Sequence, residues 1–115
     1  MDLTLLVVRS AMPKDLAEFY TILGMTFEHH RHGNGPYHYS ARIGPTVLEI
    51  YPLSKGQEKA DLSLRLGFAI DSFDMVIHTL QQQSVTFHQV PAATEWGVMV
   101  VIADQEGRKI ELYKK

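Results

Sequence analysis

Glu49 and Glu111 are the residues whose setting points most directly to chemistry. Each sits in an apolar run and is followed two residues later by a tyrosine, in Val47-Leu48-Glu49-Ile50-Tyr51 and Ile110-Glu111-Leu112-Tyr113. Side chains alternate across a strand. In the first run Leu48 and Ile50 share one face, and Val47, Glu49 and Tyr51 share the other. In the second run Ile110 and Leu112 oppose Lys109, Glu111 and Tyr113. Two readings of such a face are open: it is solvated and the acids are wet, or it curls into a cavity and the acids point inward. A buried carboxylate must be paired, metal-bound or protonated.

A second group is built of histidines. His29, His30 and His32 crowd the end of one strand-like segment, and His38 follows the Gly33-Asn34-Gly35-Pro36 turn. His30 and His32 share a strand face about 7 Å apart along the chain, where His38 can join them. The cluster reads either as a transition-metal site or as a solvated hairpin tip. Trp96, with Tyr37, Tyr39, Tyr51 and Tyr113, either lines an aromatic pocket or packs. His78 and His88 stand alone and read as structural. Neither a phosphate-binding glycine loop nor a serine nucleophile elbow occurs.

The elements that must position these groups follow from periodicity. Leu3 to Val8 is a short apolar run and predicts a strand. Pro13 suits the first turn of a helix, and Leu16, Phe19, Tyr20 and Leu23 make one apolar stripe. Gly24 stands where a helix end favours positive φ. Strands are predicted over Met25 to His32, Tyr37 to Ile43 and Thr46 to Tyr51. The order then repeats: a strand over Leu64 to Ile70, then a helix capped by Ser72 with Phe73, Val76, Ile77 and Leu80 as its stripe. Further strands are predicted over Val85 to Val90, Gly97 to Ala103 and Lys109 to Tyr113. Gly107 takes the positive-φ position of the last hairpin turn.

The repeat holds residue by residue. Leu6-Val7-Val8 is matched by Leu66-Gly67-Phe68, Met25-Thr26-Phe27 by Val85-Thr86-Phe87, and Leu48-Glu49-Ile50-Tyr51 by Ile110-Glu111-Leu112-Tyr113. Spacing changes only in loops, as a duplicated βαβββ unit requires. The expectation is one domain over 1–115, with halves of about 1–52 and 62–115 joined by a polar linker over 53–61. Each half is expected to form a sheet with a helix packed on its apolar face, giving an α+β fold.

Bulk properties exclude several classes. There is no cysteine among the 115 residues, so disulfides, thiolate metal sites and a cysteine nucleophile are absent. The net charge of -2 comes without a clustered basic footprint, which argues against a nucleic-acid partner. The apolar run Leu5 to Val8 is far too short to span a membrane. The start, Met1-Asp2, lacks the features of a signal peptide. A soluble, cytoplasmic protein is expected.

Two βαβββ halves, each with a glutamate in its fourth strand, resemble the vicinal oxygen chelate superfamily of glyoxalases, bleomycin-resistance proteins and extradiol dioxygenases. Glu18-Phe19-Tyr20 with Leu23-Gly24, the Glu49 strand, and Asp104-Gln105-Glu106-Gly107-Arg108-Lys109-Ile110-Glu111-Leu112 carry the resemblance over essentially the whole chain. The last resembles the family's closing D-P-D-G-x-x-x-E-L, with Gln105 for Pro and Glu106 for Asp. The resemblance implies that each half is a curled mixed β-sheet, a half-barrel, with a helix on its outer face, and it implies a homodimer and a cavity in which a divalent metal chelates the substrate. It also implies catalytic and metal-binding roles for Glu49 and Glu111. The other two family ligand positions fall on Leu5 and Arg65, and neither can ligate: leucine has no lone pair and a guanidinium has no acceptor.

Arg65 is expected to pair with Glu49, Glu111 or both, in place of the metal. A one-residue slip would turn it outward instead. Two carboxylates alone would hold a divalent metal weakly, or none. The function expected is binding of a small planar or aromatic molecule in the dimer cavity, with Arg65, Glu49, Glu111, Tyr51, Tyr113 and Trp96 as contacts. The alternatives are a metal-dependent lyase, isomerase or dioxygenase that uses Glu49 and Glu111, and a non-catalytic scaffold or regulatory protein.

Overall fold

A computed structural model describes residues 1–115. In the first half the chain forms β1 (Leu5–Ser10), α1 (Pro13–Ile22), β2 (Phe27–His30), β3 (His38–Ile43) and β4 (Thr46–Pro52). The sheet order is β1-β4-β3-β2. β1 runs parallel to β4, with Leu5 opposite Val47 and Val7 opposite Glu49, and the other pairs are antiparallel. The second half repeats the plan with β5 (Leu66–Ile70), α2 (Phe73–Gln82), β6 (Phe87–Thr94), β7 (Gly97–Ala103) and β8 (Lys109–Lys114), in the order β5-β8-β7-β6. Two open, mixed four-stranded sheets, each with a helix, are the expected α+β βαβββ repeat. By contacts the chain divides into two compact units, Met1–Thr21 with Met25–Ala60, and Ile22–Gly24 with Asp61–Lys115. No helix is long and apolar enough to cross a membrane.

Alternation decides which face each strand buries. Leu48 and Ile50 are buried in the first unit, with Val8 and Ala41. The stripe of α1 supplies Leu16, Phe19 and Tyr20 to the same core. In the second unit Ile110 and Leu112 are buried with Ile70, Val100 and Ile102, and α2 contributes Phe73, Ile77 and Leu80. Glu49 and Glu111 therefore stand on the opposite faces of β4 and β8, where each is half-buried.

Four local expectations need correction. Ser72 occupies the N-cap position of α2 but makes no side-chain cap bond, because its backbone is left-handed (φ 53, ψ 40). An N-cap oxygen reaches the first free N–H groups from the β region. β2 stops at His30 rather than His32, since the Gly35 N–H bonds the His32 carbonyl at 3.0 Å and draws His32 into the turn. β6 continues past Val90 to Thr94, running through Pro91. It does so as an edge strand with two register shifts, where a missing N–H is tolerated. The first strand of each half also starts later than expected, at Leu5 and at Leu66, which leaves Arg65 just ahead of β5. Gly24 and Gly107 take the positive φ expected of them, 116° and 100°.

Candidate functional site

The open face of the second sheet carries a closed ionic cluster. Gly67 is the strand partner of Glu111, and two residues earlier Arg65 lies on the same side of the chain. Its Nε donates to Oε2 of Glu111 at 2.6 Å, so Arg65 is not turned outward. The Tyr113 hydroxyl donates to Oε1 at 2.6 Å. The bond from Tyr113, and then Arg65, hold the Glu111 carboxyl below its ordinary value. Donation to Glu111 raises Tyr113 above the usual phenol range.

These shifts predict a two-sided pH dependence. A lowered Glu111 contributes stability that is present above its unfolded value of 4.5 and lost as pH falls through the folded value. A raised Tyr113 contributes stability that is present below 10.0 and lost as pH rises through its folded value. Ultraviolet difference titration should show Tyr113 ionising at lower pH in Glu111→Leu than in the parent. Unchanged titration in the variant would show that Tyr113 does not donate to Glu111 in solution.

The matching face of the first sheet is built differently. Ser40 is the strand partner of Glu49 and donates its hydroxyl to Oε2 at 3.1 Å. His38 Nε2 lies 3.2 Å from the same oxygen. That contact has the length of a hydrogen bond but not its alignment, so the buried nitrogen has no aligned partner. Tyr51 stacks on the His38 ring (4.3 Å between centroids, 7° between planes), and the Arg9 guanidinium lies over the Tyr51 ring, 4.9 Å from its centroid. His30 joins through Ser40, at 3.0 Å from Nε2 to Oγ. The rings of His30, His32 and His38 lie 4.7–5.2 Å apart. A cleft of about 410 Å³ opens beside them, lined by Thr26, Glu28, His30, His32, Ser40 and Glu49 among others.

Two sequence candidates stand apart from these groups. His29 belongs to the other face of β2 and stacks on Tyr39 at 4.4 Å, so it leaves the histidine cluster. Trp96 is 76% exposed in the turn between β6 and β7. The sequence reading did not join Glu49 to the histidines. The signal was present in the two-residue Gly44-Pro45 loop. It sets Ile43 opposite Thr46, and counting back from there sets Ser40 opposite Glu49.

The comparison with known families decides the kinship. A model described as the Glyoxalase/Bleomycin resistance protein/Dioxygenase superfamily matches residues 3–112. The chain belongs to that superfamily. No curated protein matches it significantly in sequence. Among solved structures it is similar to TnmS3, an antibiotic binding protein from Streptomyces sp. CB03234 (TM-score 0.77, 21% identity, covering 99% of this chain and 95% of that one). It is also similar to a glyoxalase/bleomycin resistance protein from the same Streptomyces (0.73, 22%, 97% and 99%). A third is a glyoxalase/bleomycin resistance protein/dioxygenase family enzyme from Burkholderia phytofirmans PsJN (0.75, 15%, 99% and 98%). At these identities the likeness is one of fold.

Members of the superfamily often bind a divalent metal, and the four positions that the resemblance assigns to it do not fit one here. Leu5 is 51% exposed and offers no donor atom. Arg65 and Tyr113 engage both oxygens of Glu111. Glu49 is the one member of the set whose carboxylate is held by no arginine or tyrosine: Ser40 donates to its Oε2, and what surrounds it is a histidine cluster that can hold a metal.

Proposed function

We propose that this chain binds a small planar or aromatic molecule on the open sheet faces of a dimer, as a bleomycin-resistance-type protein, without the metal of its enzymatic relatives. The observation that carries this reading is the seating of Arg65 on Glu111 at 2.6 Å. A guanidinium there supplies the positive charge that the metal supplies elsewhere, and it remains available to stack on a planar ligand. Leu5 and Val7, exposed on the face that carries Glu49 and Tyr51, offer apolar contact beside polar anchors. The fold of an antibiotic-binding protein agrees with this reading.

Trp96, the single tryptophan, is the reporter. Its fluorescence should be quenched saturably by bleomycin or by another member of a panel of planar aromatic compounds, with a chelator present. Arg65→Ala should weaken calorimetric binding by up to about tenfold, the worth of one guanidinium contact on an aromatic face. Binding that requires added metal, or no binding by either readout across the panel, would overturn the reading.

A further inference from the structure

We infer that His30, His32, His38 and Glu49 form a zinc-class metal site inside the first unit, sharing only Glu49 with the positions that the family resemblance assigns to a metal. One donor atom from each of the four lies within 4.8 Å of all the others. Three imidazoles and a carboxylate are donors that suit zinc, cobalt(II) or nickel(II). Bonds of roughly 2.0–2.1 Å place tetrahedral donors about 3.4 Å apart. The widest pair must therefore close by about 1.4 Å, and His32 is exposed in the turn, where rotation of its side chain meets no buried packing.

His38 is the observation that separates this cluster from a solvated hairpin tip. Its side chain is 1% exposed. Nδ1 lies 3.3 Å from the Pro36 carbonyl, which can only accept, so Nδ1 carries the hydrogen. That leaves the Nε2 lone pair directed into the cluster, 3.2 Å from a Glu49 oxygen. Two acceptors in such contact need a cation between them. A second proton on the ring would serve that pair alone, whereas a metal ion also uses His30 and His32. The backbone carbonyl on Nδ1 is the outer partner that fixes a ligating histidine in the required tautomer. The Ser40 hydroxyl orients Glu49 in the same way.

The duplicated scaffold supplies a control. In the second unit Val101 is opposite Glu111 as Ser40 is opposite Glu49, and Met99 stands where His38 stands. Gln89 contacts Met99, at 3.4 Å from Nε2 to Sδ. The same fold thus does without the histidines when the site is not being built. Bound metal would tie the β2–β3 turn to β4, holding the 410 Å³ cleft in one shape.

The test uses the full chain stripped with chelator and dialysed against zinc, with cobalt(II) as a spectroscopic probe. One equivalent of zinc per chain is expected, and cobalt should show the intense visible absorption of four-coordinate geometry. His38→Phe and His32→Gln should each weaken zinc binding by roughly 100-fold or more, since even outer-partner changes cost 10–100-fold. Glu111→Gln should leave it unchanged. His32 is exposed, so its variant tests the site even if His38→Phe fails to fold. Absence of zinc uptake, uptake that survives His32→Gln, or loss in Glu111→Gln would each overturn the assignment.

Discussion

Arg108→Ala should lower the unfolding free energy by about 3–5 kcal/mol, the range for breaking a buried ion pair by removing one partner. Arg108 and Asp104 are 1% and 0% exposed at the side chain. Nη1 donates to Asp104 Oδ2 and to Glu106 Oε1, both at 2.9 Å, and Nε donates to the Asp61 carbonyl at 3.2 Å. Asp104 also accepts from the backbone N–H groups of Glu106 and Arg108 through Oδ1. The guanidinium therefore fastens the end of the linker to the β7–β8 turn. Deleting it takes the cation away from two carboxylates, one of them without solvent. Urea unfolding should show the loss, and the melting temperature should fall by more than about 10 °C. Asp104→Ala should cost a similar amount. The double variant should cost clearly less than the sum, because each single change leaves the other member of the buried Arg108–Asp104 pair without that partner. Strict additivity would show that the pair is solvated and contributes little.

Arg108 also marks where sequence reading stopped short. Alternation carried back from Ile110 and Leu112 puts Arg108 on the buried face, yet an arginine is seldom fully buried unless paired, and the pairing is a property of the folded turn. The regular parts were legible for a complementary reason. Strand faces follow a period of two, helix stripes a period of 3.6, and the matching of Glu49-Ile50-Tyr51 with Glu111-Leu112-Tyr113 exposed the duplication. That Arg65 pairs with a glutamate followed from the family position on which it falls, with Glu49, Glu111 or both as partners, and the register of β5 on β8 selects Glu111. The surroundings of Glu49 were not legible, since they need the register of three strands at once. Strand alternation keeps His29 out of the cluster, and the turn puts His32 beyond the end of β2. Ser72 misled because a good cap residue says nothing about its own φ.

His38→Phe should separate what the histidine does for packing from what it does for metal. In chelator the variant should be as stable as the parent or more so, within about 1 kcal/mol, because phenylalanine keeps the stack on Tyr51 and removes a buried nitrogen without an aligned partner. The bond that is lost is long, 3.3 Å, and goes to an exposed proline whose carbonyl water can serve. Glu49 keeps its bond from Ser40. With zinc at about 100 times its dissociation constant, the parent should gain roughly 2.7 kcal/mol by mass action and the variant almost nothing. Denaturant unfolding with and without zinc gives both numbers. A variant weakened by more than about 2 kcal/mol in chelator would make His38 a packing residue, and equal stabilisation of both proteins by zinc would place the metal elsewhere. Met99, at the matching place in the second unit, shows that the scaffold accepts an apolar side chain there. A buried histidine at this position is then best explained by what its free nitrogen can bind.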